Sequence, residues 1–464
     1  MNSQHNPITG NSGTEPATSW LDRSLRVFAP VHGGEGRTVL IMALNVFLLM
    51  TAYYIIKPVR EALILAEWGA EAKIYASAGQ AILLLGVVPL YSRLASLMKS
   101  RRLIATVLVF FAACLAVFYG LARMGVSLGI PFYLWVGIFN VMVVAQFWSF
   151  ANDIYTPEQG KRLFALVGFG MSAGAVLGSF ITGILIEPIG IYQLMLLSAL
   201  LLLASLALTM WVANRQQNSD SVDAAPVKDE PLSGKSGFAL VMSNRYLLLI
   251  ALMMILANLV NTTGEYVLGS RVAADIQASV PEVVRGAEMT DSQFLQAETA
   301  RAVKVGEAIG GFYAKFFSVV NLVGLLAQLF LVSRLLGRIG VRWALLVLPV
   351  LATGGYLLMA VFPILGVARW AKTAENSTDY SLQNTVRNML FLPTSRAEKY
   401  KAKQAIDTFF VRMGDVMAAL LVLLGTSVFH FAPAGFALVN VGLGLLWILL
   451  VLAIGRRYRQ LKTS

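Results

Sequence analysis

The chain has 464 residues, 57% apolar and only 13% charged, against roughly 25% charged in an ordinary soluble domain. With a mean hydropathy of +0.69 a water-soluble protein is excluded, and at ~20 apolar residues per crossing the length suits one large polytopic membrane domain. The formal charge of +12 would suggest nucleic acid in a soluble protein. Here the basic residues sit in short loops between apolar runs, so they report orientation and no nucleic-acid partner is expected.

Residues 1–36 form an amino-terminal tail. Its first twenty residues, rich in Ser, Thr, Asn, Gly and Pro with no apolar core, read as disordered rather than as a signal peptide. Apolar runs then predict six helices near 38–57, 74–95, 103–123, 128–150, 163–186 and 191–213, a bundle spanning 37–213. Residues 214–245 are polar, carry Pro226 and Pro231, and read as a flexible linker. A second bundle, 246–455, holds helices near 246–268, 312–333, 342–362, 364–390, 405–428 and 434–455. Within it, residues 275–311 are too polar for lipid and are expected as an extracytoplasmic insertion with a short amphipathic helix; residues 456–464 are a basic tail.

Lys and Arg crowd alternate connections: Arg93, Lys99, Arg101 and Arg102 after the second helix, Arg334, Arg338 and Arg342 after the eighth, and Arg456, Arg457 and Arg459 at the end. The short connections on the other side hold only Lys73 and Arg123. Both termini and the linker are therefore expected in the cytoplasm of a multi-pass protein of the inner (plasma) membrane. The halves also match at one offset. Ser92-Arg93-Leu94 recurs as Ser333-Arg334-Leu335, Glu158 and Lys161 recur as Glu398 and Lys401, and Gly174 falls on Gly414. The fold class expected is all-α, twelve transmembrane helices in two six-helix parallel repeats, the plan of the major facilitator fold.

An ionisable residue near the centre of a spanning helix costs ~2.5–3.5 kcal/mol on insertion scales and so needs a reason. In the tenth helix Arg369, Lys372, Asn376, Asp379, Gln383 and Arg387 fall within an arc of about 80° at 100° per residue, with Glu375 beside it. Such a stripe is expected to line an aqueous cavity, the alternative being intrahelical pairs such as Lys372 with Glu375 or Asp379. Tyr53, Lys57, Arg60 and Glu61 share an arc of about 100° around Pro58, and two cations near a helix break suit an anionic group. Asn258, Asn261, Thr262 and Glu265 share a similar face on the seventh helix, and Asp407, Arg412 and Asp415 lie on the eleventh. Gly174-x-x-x-Gly178 permits close helix approach.

Cys114 stands alone inside an apolar run and His5, His32 and His430 are scattered, so neither a disulfide nor a metal site is expected within the chain, and no cofactor. Walker-type and Gly-x-Ser-x-Gly motifs are absent, which argues against an enzyme.

The stretches YYIIKPVREALIL (53–65), SFANDIYTPEQGKRLFALVGFG (149–170) and YSLQNTVRNMLFLPTSRAEKYKAKQAIDTF (380–409) resemble the ATP/ADP translocases of plastids and intracellular bacteria. The resemblance implies a major-facilitator-type carrier exchanging nucleotides, whose intramembrane charges bind the phosphates. Arg60 resembles the family's first-helix lysine and Arg387 its tenth-helix lysine. Pro58 and Asn388 stand where the family has acidic residues, and Asn261 occupies the place of a seventh-helix glutamate, with Glu265 one turn later. Substrate-binding candidates are thus Lys57, Arg60, Glu265, Arg369, Lys372, Asp379 and Arg387. Gating or coupling candidates are Glu61, Asn152, Asp153, Glu158, Lys161, Asn261, Glu398, Lys401, Asp407, Arg412 and Asp415. The expected partners are a small anionic solute, first of all a nucleotide, and the lipid bilayer; nothing in the sequence requires an oligomer. Two other readings stay open: a carrier of another phosphorylated or organic anion, coupled to protons through Glu265 or Asp379, and a non-transporting sensor or scaffold.

Overall fold

A computed structural model describes residues 20–26, 30–98, 100–217, 236–285, 289–395 and 398–463. Helices fill it and no strand occurs among the described residues, as lipid demands of a backbone that must satisfy its own hydrogen bonds. The first half contains α1 (Gly36–Glu67), α2 (Gly69–Leu97), α3 (Ser100–Arg123), α4 (Gly129–Ile154), α5 (Pro157–Ile189) and α6 (Gln193–Gln217). The second contains α7 (Arg245–Ser279), α8 (Asp291–Leu326), α9 (Val332–Val361), α10 (Leu365–Thr378), α11 (Asn384–Met389), α12 (Val411–Ser427) and α13 (Pro433–Thr463). A short helix, Gly237–Ser243, precedes α7; most of the expected linker and tail lies outside the described residues.

Sequence chemistry sets the boundaries. Capping boxes start α5 (Thr156 with Gln159) and α8 (Thr290 with Gln293). A π-turn at Ala327–Leu331 carries α8 into α9, and Gly340 (φ 71°, ψ 170°) divides α9 where only glycine adopts the backbone without strain. Ten helical stretches among the described residues are long and apolar enough to cross a membrane. One of them, Asp291–Val361, runs to 71 residues, far beyond the ~20 of a single crossing, and the break at Gly340 lies inside it. Among the described residues of 275–311 no helix separate from α7 and α8 occurs. The segment's charges extend α7 to Ser279 and open α8 at Asp291, because polarity bars a segment from lipid without breaking its helix. Arg301 pins the connection by donating to the carbonyls of Pro281 (3.0 Å) and Gln277 (3.3 Å).

Arg37 and Arg215 gather over Trp211 at the end of the bundle that carries the linker, here the terminal side. At the opposite end, the turn side, Glu67 and Trp68 bond Ser127. Within the first half α1 packs most extensively on α5; within the second α7 packs on α12 and α13. The halves meet where α8 crosses α5 and α1 and where α2 meets α12 and α7.

The α1–α5 contact is set by three glycines one turn apart. A Cβ at Gly170, Gly174 or Gly178 would lie 2.4, 2.4 or 2.5 Å from the carbonyl oxygens of Ala43, Phe47 and Thr51. In the second half Gly414 on α12 meets α7 likewise, 2.7 Å from the Ile255 carbonyl oxygen, so the matched glycines Gly174 and Gly414 both seat a helix against backbone. Gly174→Val is therefore expected to destabilise by ~1–3 kcal/mol through overpacking. Gly168→Ala, with open space at its Cβ, should leave stability unchanged or slightly raised; melting temperatures of the two variants in detergent check the pair.

Candidate functional site

A cavity of about 170 Å³ lies between the halves, lined among others by Lys57, Arg60 and Glu61 of α1, Lys73 of α2, Asn261 and Glu265 of α7, Asn376 of α10, and Asp379 and Tyr380. A second cavity, about 490 Å³, continues toward the terminal side between Tyr53, Tyr54, Asn140, Asn321 and Gln328. Lys57 and Tyr380 line both.

Lys57 is buried in aromatic rings, its Nζ 4.0 Å from the Phe317 centroid, 5.0 Å from Tyr54, 5.8 Å from Tyr380 and 6.0 Å from Tyr53. Ring faces attract a cation but do not neutralise it, and no carboxylate among the described residues reaches ion-pair distance. The remaining charges alternate. Arg60 Nη2 lies 2.5 Å from Glu61 Oε1, with its guanidinium 4.5 Å over Tyr133. Glu61 Oε2 lies 2.7 Å from Lys73 Nζ, which reaches Glu265 Oε2 at 3.5 Å. Glu265 Oε1 in turn lies 3.6 Å from Lys372 Nζ and accepts from Asn376 at 3.2 Å. Lys372, fully buried, also contacts Glu375 (3.1 Å) and donates to Asn261 Oδ1 (2.8 Å). Tyr356 closes the chain by donating to Glu375 at 2.8 Å, its hydroxyl occupying space left by Gly264.

The structure thus gathers Lys57, Arg60, Glu61, Asn261, Glu265, Lys372 and Asp379 in or around one site. The tenth-helix stripe is divided: a π-turn at Asp379–Gln383 adds a residue to one turn and shifts the face beyond it. Arg387 lines a smaller cavity of about 70 Å³ with Asn258, Asn261, Glu375 and Asp379. Its Nη2 donates to Asn384 at 3.3 Å, while its buried Nε has no hydrogen-bond partner. Arg369 sits among rings, 5.8 Å from Phe312 and 5.5 Å from Trp370, outside the cavity linings described above; Trp370 is exposed.

Asp415 accepts from Asn258 and Thr262, each at 2.8 Å, and pairs with Arg412 at 3.1 Å. Asp407 pairs with Lys403 at 2.5 Å. Asn152, Asp153 and Glu158 are exposed at the α4–α5 connection; the Lys161 side chain lies outside the described residues. Glu398 accepts from Asn244 of its own half at 2.7 Å, and Lys401 is half-buried nearby.

Lys73 is the residue that sequence reasoning missed. Hydropathy places it in a loop because the apolar run begins at 74, yet α2 starts at Gly69 and Lys73, Ser77 and Gln80 fall at i, i+4 and i+7 on one face. No His/Cys/Asp/Glu group able to hold a metal occurs among the described residues.

At the terminal side Arg162 grips Glu35 with two bonds, 2.8 and 3.0 Å, assisted by Gln159 at 3.2 Å and the His32 N–H at 2.9 Å. Burial pushes the Glu35 carboxyl up, but the Arg162, His32 and Gln159 bonds outweigh it and hold the pKa below its ordinary value. A depressed carboxyl pKa adds stability above the unfolded value of ~4.3 and loses it as pH falls through the folded one. Glu35→Gln should therefore melt below the parent at pH 7, and the gap should close when both are titrated below pH ~4.

The family profile described as TLC ATP/ADP transporter matches residues 17–122. ADP,ATP carrier protein 1 of Chlamydia trachomatis is 24% identical over 323 residues, 62% of this chain; the match spans 57% of that relative's length. ADP,ATP carrier protein 1 of Rickettsia bellii is 20% identical over 522 aligned positions, covering 97% of this chain and 98% of the relative. Among solved structures, a POT family transporter in complex with 5-aminolevulinic acid aligns with TM-score 0.60 at 14% identity, covering 92% of this chain and 96% of its own. The nucleoside transporter NupG aligns with TM-score 0.58 at 13% identity, covering 90% and 98%. In sequence the chain is similar to the ATP/ADP translocases, and its fold is that of transporters of the major-facilitator type.

Proposed function

We propose that the chain is a secondary transporter that exchanges nucleotides across a membrane, by alternating access to the site between its halves. The observation that carries this reading is Lys57: a buried cation with no carboxylate in ion-pair reach, at the junction of two cavities and ringed by Tyr53, Tyr54, Phe317 and Tyr380. Phosphate oxygens would supply the missing counter-charge at Lys57 and Arg60 through charge-assisted hydrogen bonds. The tyrosines of the terminal-side cavity would stack on a base, an interaction worth ~1–3 kcal/mol. Arg387 contributes at longer range through Asp379, which lines both the central cavity and the smaller cavity of Arg387. The names of the Chlamydia and Rickettsia relatives support the choice of nucleotide. The process has no covalent step and uses no catalytic residue.

The central cavity, about 170 Å³, is smaller than the ~300–1,000 Å³ of typical ligand pockets, which favours a smaller phosphorylated or organic anion as the second reading. Counterflow of labelled ATP, ADP, inorganic phosphate and simple carboxylates in proteoliposomes separates the two. Exchange of ATP against ADP is the expected result, and flux of carboxylate without nucleotide exchange overturns it. In the same preparation Lys57→Gln should weaken nucleotide binding by ~1.5–3 kcal/mol, roughly ten- to hundred-fold. Arg387→Gln should weaken it less.

The proposal places twelve crossings, both termini and the linker on the cytoplasmic face of the inner membrane, and the α7–α8 connection outside. Single cysteines at Ser243 and Ser279, both exposed, in a Cys114→Ser background should label from opposite faces, Ser243 from the cytoplasm. Labelling of both from one face contradicts this topology.

A further inference from the structure

Among the described residues one ion pair joins the two halves: Lys73 of α2 to Glu265 of α7, 3.5 Å apart. It lies toward the turn side, one turn into α2, and its lysine is shared with Glu61 of its own half at the shorter distance of 2.7 Å. Glu61 in turn divides its charge between Lys73 and Arg60. Arg60 lines the central cavity and keeps part of its side chain accessible, so an anion that enters meets Arg60 before it meets Glu61.

Resting on the reading that this site takes an anion, we propose that Lys73 is the latch of the turn-side gate, released when the anion takes Arg60 from Glu61. A buried carboxylate that loses one cation must draw more closely on the other. Glu61 then pulls Lys73 toward itself, and the longer contact to Glu265 is the one that gives way. Glu265 is not stranded, because Lys372 and Asn376 hold its other oxygen. The charge of the cluster is conserved throughout; only the partner of Lys73 changes. Occupancy therefore weakens the single ionic tie between the halves without exposing an unpaired charge, while an empty site keeps it closed.

The test reads access at Ser77, which lines the same cavity one turn along α2. In a Cys114→Ser, Ser77→Cys background, a membrane-impermeant maleimide applied from the turn side should react slowly without ligand and faster with ATP. Glu265→Gln removes the inter-half pair but leaves Lys73 on Glu61, and should label about tenfold faster than the parent with no nucleotide present, equivalent to ~1.4 kcal/mol. Lys73→Met should do the same and Lys73→Arg should remain close to the parent; a melting curve for each identifies any variant that is not folded. Slow ligand-free labelling in folded Glu265→Gln overturns the latch whatever the substrate is. Fast labelling there, with neither labelling nor melting temperature of the parent responding to ATP, leaves the latch standing and overturns the nucleotide reading. A parent that melts higher with ATP yet labels no faster overturns the release step.

Discussion

A charge withdrawn from water into a helical bundle is tolerated only beside its opposite, and this constraint organises the centre of the molecule. Arg60, Glu61, Lys73, Glu265, Lys372 and Glu375 alternate in sign, each within 3.6 Å of the next. Because the links are contributed in turn by α1, α2, α7 and α10, the alternation fixes how four helices from both halves stand against one another. Its far end is closed by a neutral donor, the Tyr356 hydroxyl, and its near end opens on the cavity through Arg60. Lys57 stands outside the alternation, among the rings of Tyr53, Tyr54, Phe317 and Tyr380, and on this the proposed anion site rests.

The helices that bring this charge together are held by backbone rather than side-chain contact. α1, which carries Lys57, Arg60 and Glu61, lies against glycines of α5; α7, which carries Asn261 and Glu265, lies against Gly414 of α12. Each half therefore presents its polar helix from a similar glycine support. Asn321 of α8 donates to the Ala175 carbonyl of α5 at 3.2 Å, adding a neutral bond across the same interface.

Much of this was legible in the sequence, and the places where it was not have specific physical causes. Apolar runs coincide with the ten stretches among the described residues that are long and apolar enough to span, while the expected tenth helix, 364–390, is too charged to be one of them; the wheel of the first helix puts Lys57, Arg60 and Glu61 on one face, and all three line the central cavity. The wheel of the tenth helix assumed a constant 100° per residue, an assumption that the π-turn at Asp379–Gln383 ends. Lys73 was hidden because hydropathy marks where a helix becomes apolar, not where it starts. The rings around Lys57 come from positions as far apart as Tyr53, Phe317 and Tyr380, a neighbourhood that only the packing of the two halves creates. The polarity of 275–311 marks a segment unsuited to lipid but not where the flanking helices end, so it does not reveal that α7 runs to Ser279 and α8 opens at Asp291.

All four π-turns among the described residues, Ala327–Leu331, Asp379–Gln383, Glu398–Ala402 and Ile406–Phe410, fall in the second half. A turn with one residue too many has looser backbone bonds than its neighbours and is a natural place for a helix to bend. The helices of the second half are thus jointed close to Asp379 and Asp407, while the first half has its own places to bend where Pro58, Pro89 and Pro188 fall inside helices.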